Sequence, residues 1–270
     1  MISVFESLAI QAGNIALEVR ASAHHATISK EDDSPQTRAD RLANDLIVEG
    51  LTKNFPDIPI ISEESPVVDF ETRRHWKRFF LVDPLDGTKE YIRGGSDFTV
   101  NIALMELGVP VAGVVGVPAQ GKLYSASGTM GAVLKVLETG AITRLQASLT
   151  DPDAPLKVLE SSSHRTAELD SFLEPYTIES RTRIGSSLKF AILAEGKAHL
   201  YIRTTPCKEW DTAAGFAIYR EALKATRSDL SAASSLLKYN TPSLIHGPFA
   251  LGLKRFKPSP THTLLFPQAL

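Results

Sequence analysis

The sequence predicts an α/β (α+β) fold built as two lobes, residues 1–150 and 151–270. In the first lobe, apolar residues near the N-terminus keep helical spacing, and short apolar runs separated by Gly and Pro turns fill 98–137. The stretch 148–155, Ser-Leu-Thr-Asp-Pro-Asp-Ala-Pro, has the composition of a linker and marks the predicted boundary. Beyond it, predicted strands and helices alternate, which is typical of an α/β unit.

Two helices open the first lobe. Apolar residues at positions 4, 5, 8, 12, 15 and 19 recur at helical spacing and predict the first helix. Thr37 and Asp40 resemble a capping box and predict the start of a second helix, whose apolar residues are Leu42, Leu46, Ile47 and Leu51. Strands are predicted next, at 58–61 and 79–82, followed by a meander of runs at 99–104, 111–117, 122–124 and 132–134.

The second lobe is predicted to alternate strands with helices. Its strands are expected at 156–159, 176–180 and 199–203, and its helices at 166–173, at 187–195 and after Asp211. Asp211 itself is expected to be the N-cap or a first-turn residue of the last helix.

The composition of the chain excludes some classes of function but does not identify one. The chain has 270 residues, 43% of them hydrophobic and 22% charged, as is usual for a globular protein. A formal net charge of −2 argues against a DNA or RNA polymer as partner. The single cysteine, Cys207, excludes an internal disulfide and fits a reducing compartment. We find no secretory leader and no transmembrane segment in the sequence, and therefore expect a cytoplasmic protein.

The most informative stretch is 81–90, Leu-Val-Asp-Pro-Leu-Asp-Gly-Thr-Lys-Glu. Asp83 is expected at the carboxyl end of the 79–82 strand, where open α/β sheets bind ligands, and Pro84 is expected to end the ladder. The carboxylates of Asp83 and Asp86 suit Mg²⁺, and N–H groups at Gly87 and Thr88 suit a phosphate. The alternative is an ordinary strand-to-turn junction in which both Asp side chains cap local N–H groups.

Other acidic residues stand in comparable settings. Glu63 and Glu64 follow the predicted strand 58–61, and Asp211 precedes the small apolar run 213–218. Taken singly, the first two are explained as a surface charge pair and Asp211 as a helix cap. Their occurrence together with Asp83 and Asp86 favours a shared metal site.

Four motifs in this order resemble the signature of the inositol monophosphatase superfamily of Mg²⁺-dependent, lithium-sensitive phosphatases. Within it, 86–91 resembles the CysQ-type 3'(2'),5'-bisphosphate nucleotidases, as do 163–169 and 184–190. The resemblance implies a layered α/β/α/β/α sandwich with the active site between two lobes. The four motifs are Thr37-Arg38-Ala39-Asp40, Ser62-Glu63-Glu64, Asp83-Pro84-Leu85-Asp86-Gly87-Thr88 and Trp210-Asp211-Thr212-Ala213-Ala214-Gly215.

The resemblance also implies roles for individual residues. Two or three Mg²⁺ ions would be held by Glu63, Asp83, Asp86, Asp211 and the backbone carbonyl of Leu85. Glu63 and Thr88 would orient and help deprotonate the attacking water, with Asp40 supporting a third metal position or acting as an outer base. The Gly87 and Thr88 amides would hold the departing phosphate. The expected substrate is a small-molecule nucleotide bisphosphate, 3'-phosphoadenosine 5'-phosphate or its sulfonated analogue, hydrolysed at the 3'-phosphate to AMP.

Substrate contacts are expected mainly from the second lobe. A remote phosphate and a nucleoside need cationic and N–H donors beyond the metal centre. For His164 and Arg203, a structural hydrogen-bonding role is the alternative, and for Lys189 it is an exposed position on a helix. The expected contacts are Gly87, Thr88, Ser161, Ser163, His164, Gly185, Ser186, Ser187, Lys189, Arg203 and Asp211. Ser162 stands where the family commonly has Arg.

The C-terminal part departs further from the family. Glu221-Ala222-Leu223-Lys224-Ala225-Thr226 replaces its usual Ala-Gly-Gly turn, and the effect of 221–236 is left open. Runs at 237–240 and 249–253 resemble the family's closing strands, and 254–270 resembles an extra tail. Basic residues in that tail leave peripheral contact with the inner face of a membrane open, although a solvated tail is the simpler interpretation.

Three functions remain open from the sequence. The main hypothesis is the bisphosphate nucleotidase, and the nearest alternative is an inositol or sugar monophosphatase. A non-catalytic nucleotide sensor is the third. The quaternary state is expected to be a monomer or a homodimer.

Overall fold

The computed structural model of the chain describes residues 1–22, 27–29, 35–162, 166–227 and 237–257. The helices are α1 Ile2–Ala21, α2 Arg38–Asn54, α3 Phe70–Arg73, α4 Thr88–Ile92, α5 Ala167–Leu173, α6 Leu188–Ala194 and α7 Trp210–Ala225. The strands are β1 Thr27–Ser29, β2 Pro35–Thr37, β3 Ile60–Ser62, β4 Arg78–Asp86, β5 Thr99–Glu106, β6 Val109–Val117, β7 Lys122–Ser127, β8 Gly131–Val136, β9 Ile142–Arg144, β10 Leu156–Ser161, β11 Ile178–Ile184, β12 Leu200–Arg203, β13 Cys207–Lys208, β14 Ile245–His246 and β15 Phe249–Leu251.

Two large sheets organise the chain. The first has seven strands in the order β3-β4-β5-β6-β7-β8-β9, antiparallel except for the parallel pair β3 and β4. The second has the order β11-β10-β12-β15. Its first three strands are parallel to one another, and β15 is antiparallel to β12. The predicted meander is therefore confirmed, and it gains the strand β9, whose exposed residues gave no apolar signal.

The alternation of side chains along β4 explains the layers. Phe80 and Val82 face the helices α1 and α2, where they pack with Phe5 and Ile47. Phe79 and Leu81, on the opposite face, belong to the core that includes residues of α6 and α7. Successive strand residues point to opposite faces, so one apolar strand serves two cores.

The second sheet adds two further layers. Leu159 and Tyr201 belong to the core shared with α6 and α7, whereas Leu156 and Val158 pack with Phe172 of α5 on the other face. The order of layers is α1 and α2, first sheet, α6 and α7, second sheet, α5. The predicted α/β/α/β/α sandwich is confirmed, and the division into lobes at residue 150 stays a prediction.

Helix α1 meets the length and composition of a membrane-spanning helix, and it is the one such helix in the described part of the chain. Its residues Phe5, Leu8, Ala9 and Ala12 are buried and contribute to the core beneath the first sheet. The apolar content of α1 is therefore accounted for by packing within the protein.

The expectation that Pro84 ends the ladder is wrong. β4 continues to Asp86, which pairs with Thr99, and its register with β5 is irregular between Asp83 and Asp86. The pairing with β3 stops at Val82. Pro84 is accommodated because it lies at a bulge, beyond the end of one neighbouring strand, where its missing N–H breaks no ladder bond.

Two predictions in the second half also need correction, and one open point is answered. The strand expected at 176–180 lies at β11, whose residues 179–183 are exposed at a sheet edge and so lack an apolar pattern. Residues 237–240 are not a strand, whereas 249–253 does contain β15. Helix α7 continues through Glu221 to Ala225 in place of a glycine turn.

The last described residues pack against the second sheet's outer layer. The Lys257 N–H donates to the Tyr176 hydroxyl at 2.9 Å, and the Lys257 and Arg255 side chains form ion pairs with Asp153. Residues 228–236 and 258–270 lie outside the described residues, so most of the divergent segment and of the expected tail is not described.

Close packing of α7 against β6 predicts the effect of one substitution. A Cβ at Gly113 would lie 2.7 Å from the Ala214 carbonyl oxygen and 3.0 Å from the Ala214 Cα. Because both are backbone atoms, Gly113→Ala should force the helix from the sheet and lower the free energy of unfolding by about 1–3 kcal/mol in urea denaturation. Gly128→Ala is the matched control, since nothing lies within 4 Å of its Cβ position. Equal losses in both variants would contradict this packing.

Candidate active site

A cavity of about 350 Å³ lies where the first sheet, α6 and α7 meet. Five of its lining residues are acidic, namely the four predicted metal ligands Glu63, Asp83, Asp86 and Asp211, and Glu90. Every predicted metal ligand, including Leu85, lines this single cavity. A volume in this range is typical of small-molecule sites.

Asp83 lies on the irregular part of β4 and is 1% exposed. Its Oδ1 accepts a hydrogen bond from the Leu85 N–H at 3.1 Å. Burial raises the pKa of Asp83 well above its ordinary value, and the charges of Glu63, Asp86 and Asp211 raise it further. The bulge therefore directs a carboxylate into a pocket where neighbouring carboxylates oppose its ionisation.

Asp86 and Asp211 are linked through Ser187, which precedes α6. The Ser187 N–H and hydroxyl donate to Asp86 Oδ2 at 2.6 and 2.8 Å, and the same hydroxyl lies 2.6 Å from the Asp211 carbonyl oxygen. The Asp211 carboxylate accepts from the Lys208 N–H at 3.2 Å. Burial, and then Asp86, raise the pKa of Asp211. Asp211 is a first-turn residue of α7, which is one of the two positions, N-cap or first turn, that the sequence predicted for it.

Thr88 connects the cavity to the capping box of α2. Its hydroxyl lies 3.2 Å from both Asp40 Oδ1 and the Leu85 carbonyl oxygen. Asp40 Oδ2 accepts from the Thr37 N–H at 2.7 Å and from its hydroxyl at 2.6 Å. The predicted capping box is confirmed, and burial raises the pKa of the Asp40 carboxyl despite these donors. Asp40 is buried behind Thr88 and does not itself line the cavity.

Gly87 adopts a left-handed conformation with φ of 87° immediately before α4. This conformation favours glycine, and a Cβ there would lie 3.3 Å from the Ser186 Cβ. The turn places Gly87 and Thr88 side by side on the cavity wall.

Four cationic residues share the cavity with the acids, namely Lys89, Lys189, Arg203 and Lys208. Lys189 is 2% exposed, so its alternative as an exposed helical lysine is excluded. Its ammonium donates to the carbonyl oxygens of Ser186 at 2.6 Å and Ile184 at 3.0 Å, and burial lowers its pKa to about 8. The Arg203 guanidinium donates to the carbonyl oxygens of Thr205 and Pro206, both at 3.2 Å.

The remaining predicted substrate contacts fall into three groups. Ser161, Gly185 and Ser186 line the cavity. Ser187 does not, because its N–H and hydroxyl are directed at Asp86. Ser163 and His164 lie outside the described residues.

Sequence reasoning missed several residues that line the cavity. Glu90 accepts a hydrogen bond from the Ser162 hydroxyl at 2.5 Å, and a Cβ at Gly185 would lie 2.8 Å from the Glu90 Cγ. Its position inside the 81–90 stretch is the signal that could have identified it. Lys89 lies in the same stretch and Thr212 in the motif of Asp211, whereas the others that line the cavity lack such a signal, namely Tyr201, Pro206, Cys207, Lys208 and Ile245.

The acidic residues fit a divalent cation by their chemistry. Among the described residues, no three His, Cys, Asp or Glu side chains lie in an arrangement that could hold an ion on their own. Mg²⁺ needs only one or two carboxylates, with carbonyl, water and phosphate oxygens completing its shell. Burial, and then the charges of neighbouring carboxylates, raise the pKa of Asp83 and Asp211, and such an ion would offset the repulsive part.

Comparison of the sequence with known proteins gives consistent matches. Residues 1–222 match the inositol monophosphatase family. The chain is 45% identical over 212 residues to the 3'(2'),5'-bisphosphate nucleotidase CysQ of Escherichia coli O157:H7, covering 78% of this chain and 83% of that protein. It is 35% identical over 185 residues to the CysQ of Haemophilus influenzae, covering 68% of each.

Comparison of the fold agrees with the sequence. The crystal structure of CysQ from Bacteroides thetaiotaomicron, described as a bacterial member of the inositol monophosphatase family, is 34% identical with a TM-score of 0.78, and covers 94% of this chain and 97% of that one. The SuhB structure of Mycobacterium tuberculosis is 27% identical with a TM-score of 0.66, covering 82% of this chain and 83% of that chain.

The raised pKa of Asp83 predicts how pH affects the metal-free protein. Asp83 ionises at an ordinary value of 3.8 when unfolded and higher when folded, so its contribution to stability is complete below about pH 3.8 and is lost as the pH rises through the folded pKa. Asp83→Asn should therefore raise the thermal midpoint of the metal-free chain more at pH 8 than at pH 4. The exposed Asp57→Asn is the control. A midpoint for Asp83→Asn that follows wild type at both pH values would contradict the raised pKa of Asp83.

Proposed function

The chain belongs to the inositol monophosphatase family, and we propose that it is a Mg²⁺-dependent phosphatase that hydrolyses the 3'-phosphate of a nucleotide 3',5'-bisphosphate. The substrate we propose is 3'-phosphoadenosine 5'-phosphate, giving AMP and phosphate. The relatives named 3'(2'),5'-bisphosphate nucleotidase CysQ support this choice within the family.

One observation supports the proposal more than any other. The four predicted acidic metal ligands share one cavity with cationic residues, among them the buried Lys189 and the partly buried Arg203. A monophosphate bound to the acidic residues through metal ions does not need the charges of Lys189 and Arg203. A second phosphate on the same substrate does, because a buried ammonium and a guanidinium are suited to a dianion.

Two or three Mg²⁺ ions would be held by Glu63, Asp83, Asp86, Asp211 and the Leu85 carbonyl. When bound, Mg²⁺ would neutralise phosphoryl oxygens and lower the pKa of the attacking water. The protein supplies the geometry: Ser187 fixes one oxygen of Asp86, and the Leu85 N–H fixes one oxygen of Asp83.

Deprotonation of the attacking water is assigned to Glu63 and Thr88, with Asp40 behind them. The Thr88 hydroxyl lies within hydrogen-bonding distance of Asp40, which Thr37 orients with two donors. Because burial raises the pKa of Asp40, this carboxylate accepts a proton more readily than an exposed one. The Gly87 and Thr88 amides, at the start of α4, would bind the departing phosphate.

A substrate panel tests the proposed function. We expect Mg²⁺-dependent phosphate release from 3'-phosphoadenosine 5'-phosphate with a kcat/KM well above those for AMP, inositol 1-phosphate and fructose 1,6-bisphosphate. A preference for inositol 1-phosphate would assign the protein to inositol phosphate hydrolysis instead. Binding of the bisphosphate without release of phosphate from any substrate would indicate a nucleotide sensor.

Replacement of Glu63 should affect the chemical step. Glu63→Gln is expected to lower kcat by about 10²- to 10⁴-fold with little change in substrate affinity, since a general base is lost. The control is Glu64→Gln, whose carboxylate bonds the Gln36 side chain and does not line the cavity. A Glu63→Gln enzyme with normal kcat and only a higher Mg²⁺ requirement would assign Glu63 to metal retention alone.

Replacement of Lys189 should affect specificity. Because Lys189 is buried, Lys189→Met preserves the packing of its stem and removes the charge together with the hydrogen bonds to Ile184 and Ser186. We expect kcat/KM for the bisphosphate nucleotide to fall by about one to two decades, the value of one charge-assisted hydrogen bond, with a much smaller loss for inositol 1-phosphate.

The exposed Lys197, which pairs with Glu195, provides the control as Lys197→Met. Equal losses for both substrates in Lys189→Met would remove Lys189 from the specificity site. Unchanged kinetics for both would show that its charge contacts neither.

A further inference from the structure

The residues at 239–246, here called the clamp segment, lie beyond the family match, which ends at residue 222. They nevertheless pack against the turn that carries Asp211. The Leu244 carbonyl accepts from the Glu209 N–H at 3.0 Å, and β14 pairs with β13 so that Ile245 lies opposite Lys208. The Lys208 N–H in turn donates to the Asp211 carboxylate.

Glu209 is the main contact between this turn and the clamp segment. It precedes Trp210 and Asp211, and its side chain is fully buried. One oxygen accepts from the Asn240 N–H at 2.6 Å. The other accepts from the Thr241 N–H at 2.8 Å and the Thr241 hydroxyl at 2.6 Å. Three donors on two oxygens hold the carboxylate in one orientation.

Arg73 holds the clamp segment from the side of the first sheet. It ends α3, which follows β3 and Glu63, and its side chain is 1% exposed. The guanidinium donates to Asn240 Oδ1 at 2.7 Å and to the carbonyl oxygens of Thr241 and Pro242 at 2.7 and 2.8 Å. The Asn240 side chain returns a hydrogen bond to the Arg73 carbonyl at 2.7 Å.

These contacts form a continuous connection between two parts of the acidic site. Arg73 follows the segment that carries Glu63, and Glu209 precedes Asp211, with residues 240–242 bonded to both. Asn240 has a left-handed backbone with φ of 59°, which its interactions with both partners hold in place. Both charged side chains are buried and make several hydrogen bonds, although Arg73 Nε itself has no partner among the described residues.

We propose that Arg73 and Glu209 are positioning residues that act through the clamp segment to set the distance of Asp211 from Glu63. This spacing determines how tightly the divalent cation binds before substrate arrives. The inference rests on the proposed function in one respect, namely that Asp211 and Glu63 are metal ligands.

The test measures metal binding directly. Mn²⁺ alone is titrated into the full chain, and free Mn²⁺ is read from its electron paramagnetic resonance signal. The variant Asn240→Gly keeps a residue that tolerates positive φ but removes both side-chain bonds to Arg73. Thr241→Val removes one donor to Glu209, and Arg73→Met removes the guanidinium.

The control is Arg220→Met. Arg220 lies near the other end of α7, is partly buried and donates to the Pro110 carbonyl at 2.7 Å. It tests whether loosening α7 in general weakens metal binding. Far-ultraviolet circular dichroism and thermal midpoints are recorded for every variant, and binding is compared well below the midpoint.

We expect Asn240→Gly and Arg73→Met to weaken Mn²⁺ binding about tenfold, Thr241→Val less, and Arg220→Met not at all. Variants that are folded and less stable but bind Mn²⁺ like wild type would overturn the inference and leave the clamp segment a purely structural role. Should Arg73→Met not fold, Asn240→Gly and Thr241→Val decide the outcome alone. A wild-type chain that binds no Mn²⁺ would instead refute the metal site of the proposed function.

Discussion

Repulsion among carboxylates that share one cavity is the constraint on which this structure depends. Glu63, Asp83, Asp86 and Asp211 come from three separate parts of the chain and line one cavity, where burial, and then the charges of the other three, raise the pKa of Asp83. Two like charges 4 Å apart repel by about 4 kcal/mol at an effective dielectric constant of 20, and whole domains are stable by only about 5–15 kcal/mol. Like charges brought close together therefore oppose folding by an amount that matters, and the surrounding fold must hold them in place.

The groups that hold these carboxylates are mostly neutral donors. Leu85, Ser187 and Lys208 supply backbone N–H groups, and Ser187 adds its hydroxyl. Neutral donors orient a carboxylate without cancelling its charge. The ammonium of Lys189 instead donates to carbonyl oxygens. The carboxylates therefore retain their negative charge for binding a cation, and Lys189 retains its positive charge for binding an anion in the same cavity.

Local patterns allowed much of this to be predicted. The helical spacing in α1 and α2, the meander and the 81–90 stretch are each short-range signals. Contacts between residues far apart in the sequence gave no such signal. Arg73 and Asn240 are 167 positions apart, and neither stands in a recognisable motif. The burial of Lys189 was equally hidden, because a seven-residue helix with apolar residues on all sides does not reveal its exposed face. Polar edge strands such as β11 and the bulge at Pro84 depend on which strands are neighbours, which the sequence does not state.

The layer formed by α6 and α7 lies between both sheets, and this has a consequence for synthesis on the ribosome. The first sheet is complete once residue 144 has been made, yet the face that carries Phe79 and Leu81 packs against residues 188–223. For the intervening time the nascent chain presents an uncovered apolar surface, the situation in which association with other chains competes with folding. Translation speed and chaperone capacity across roughly the second half of the message should therefore influence the yield of native protein more than events in the first half.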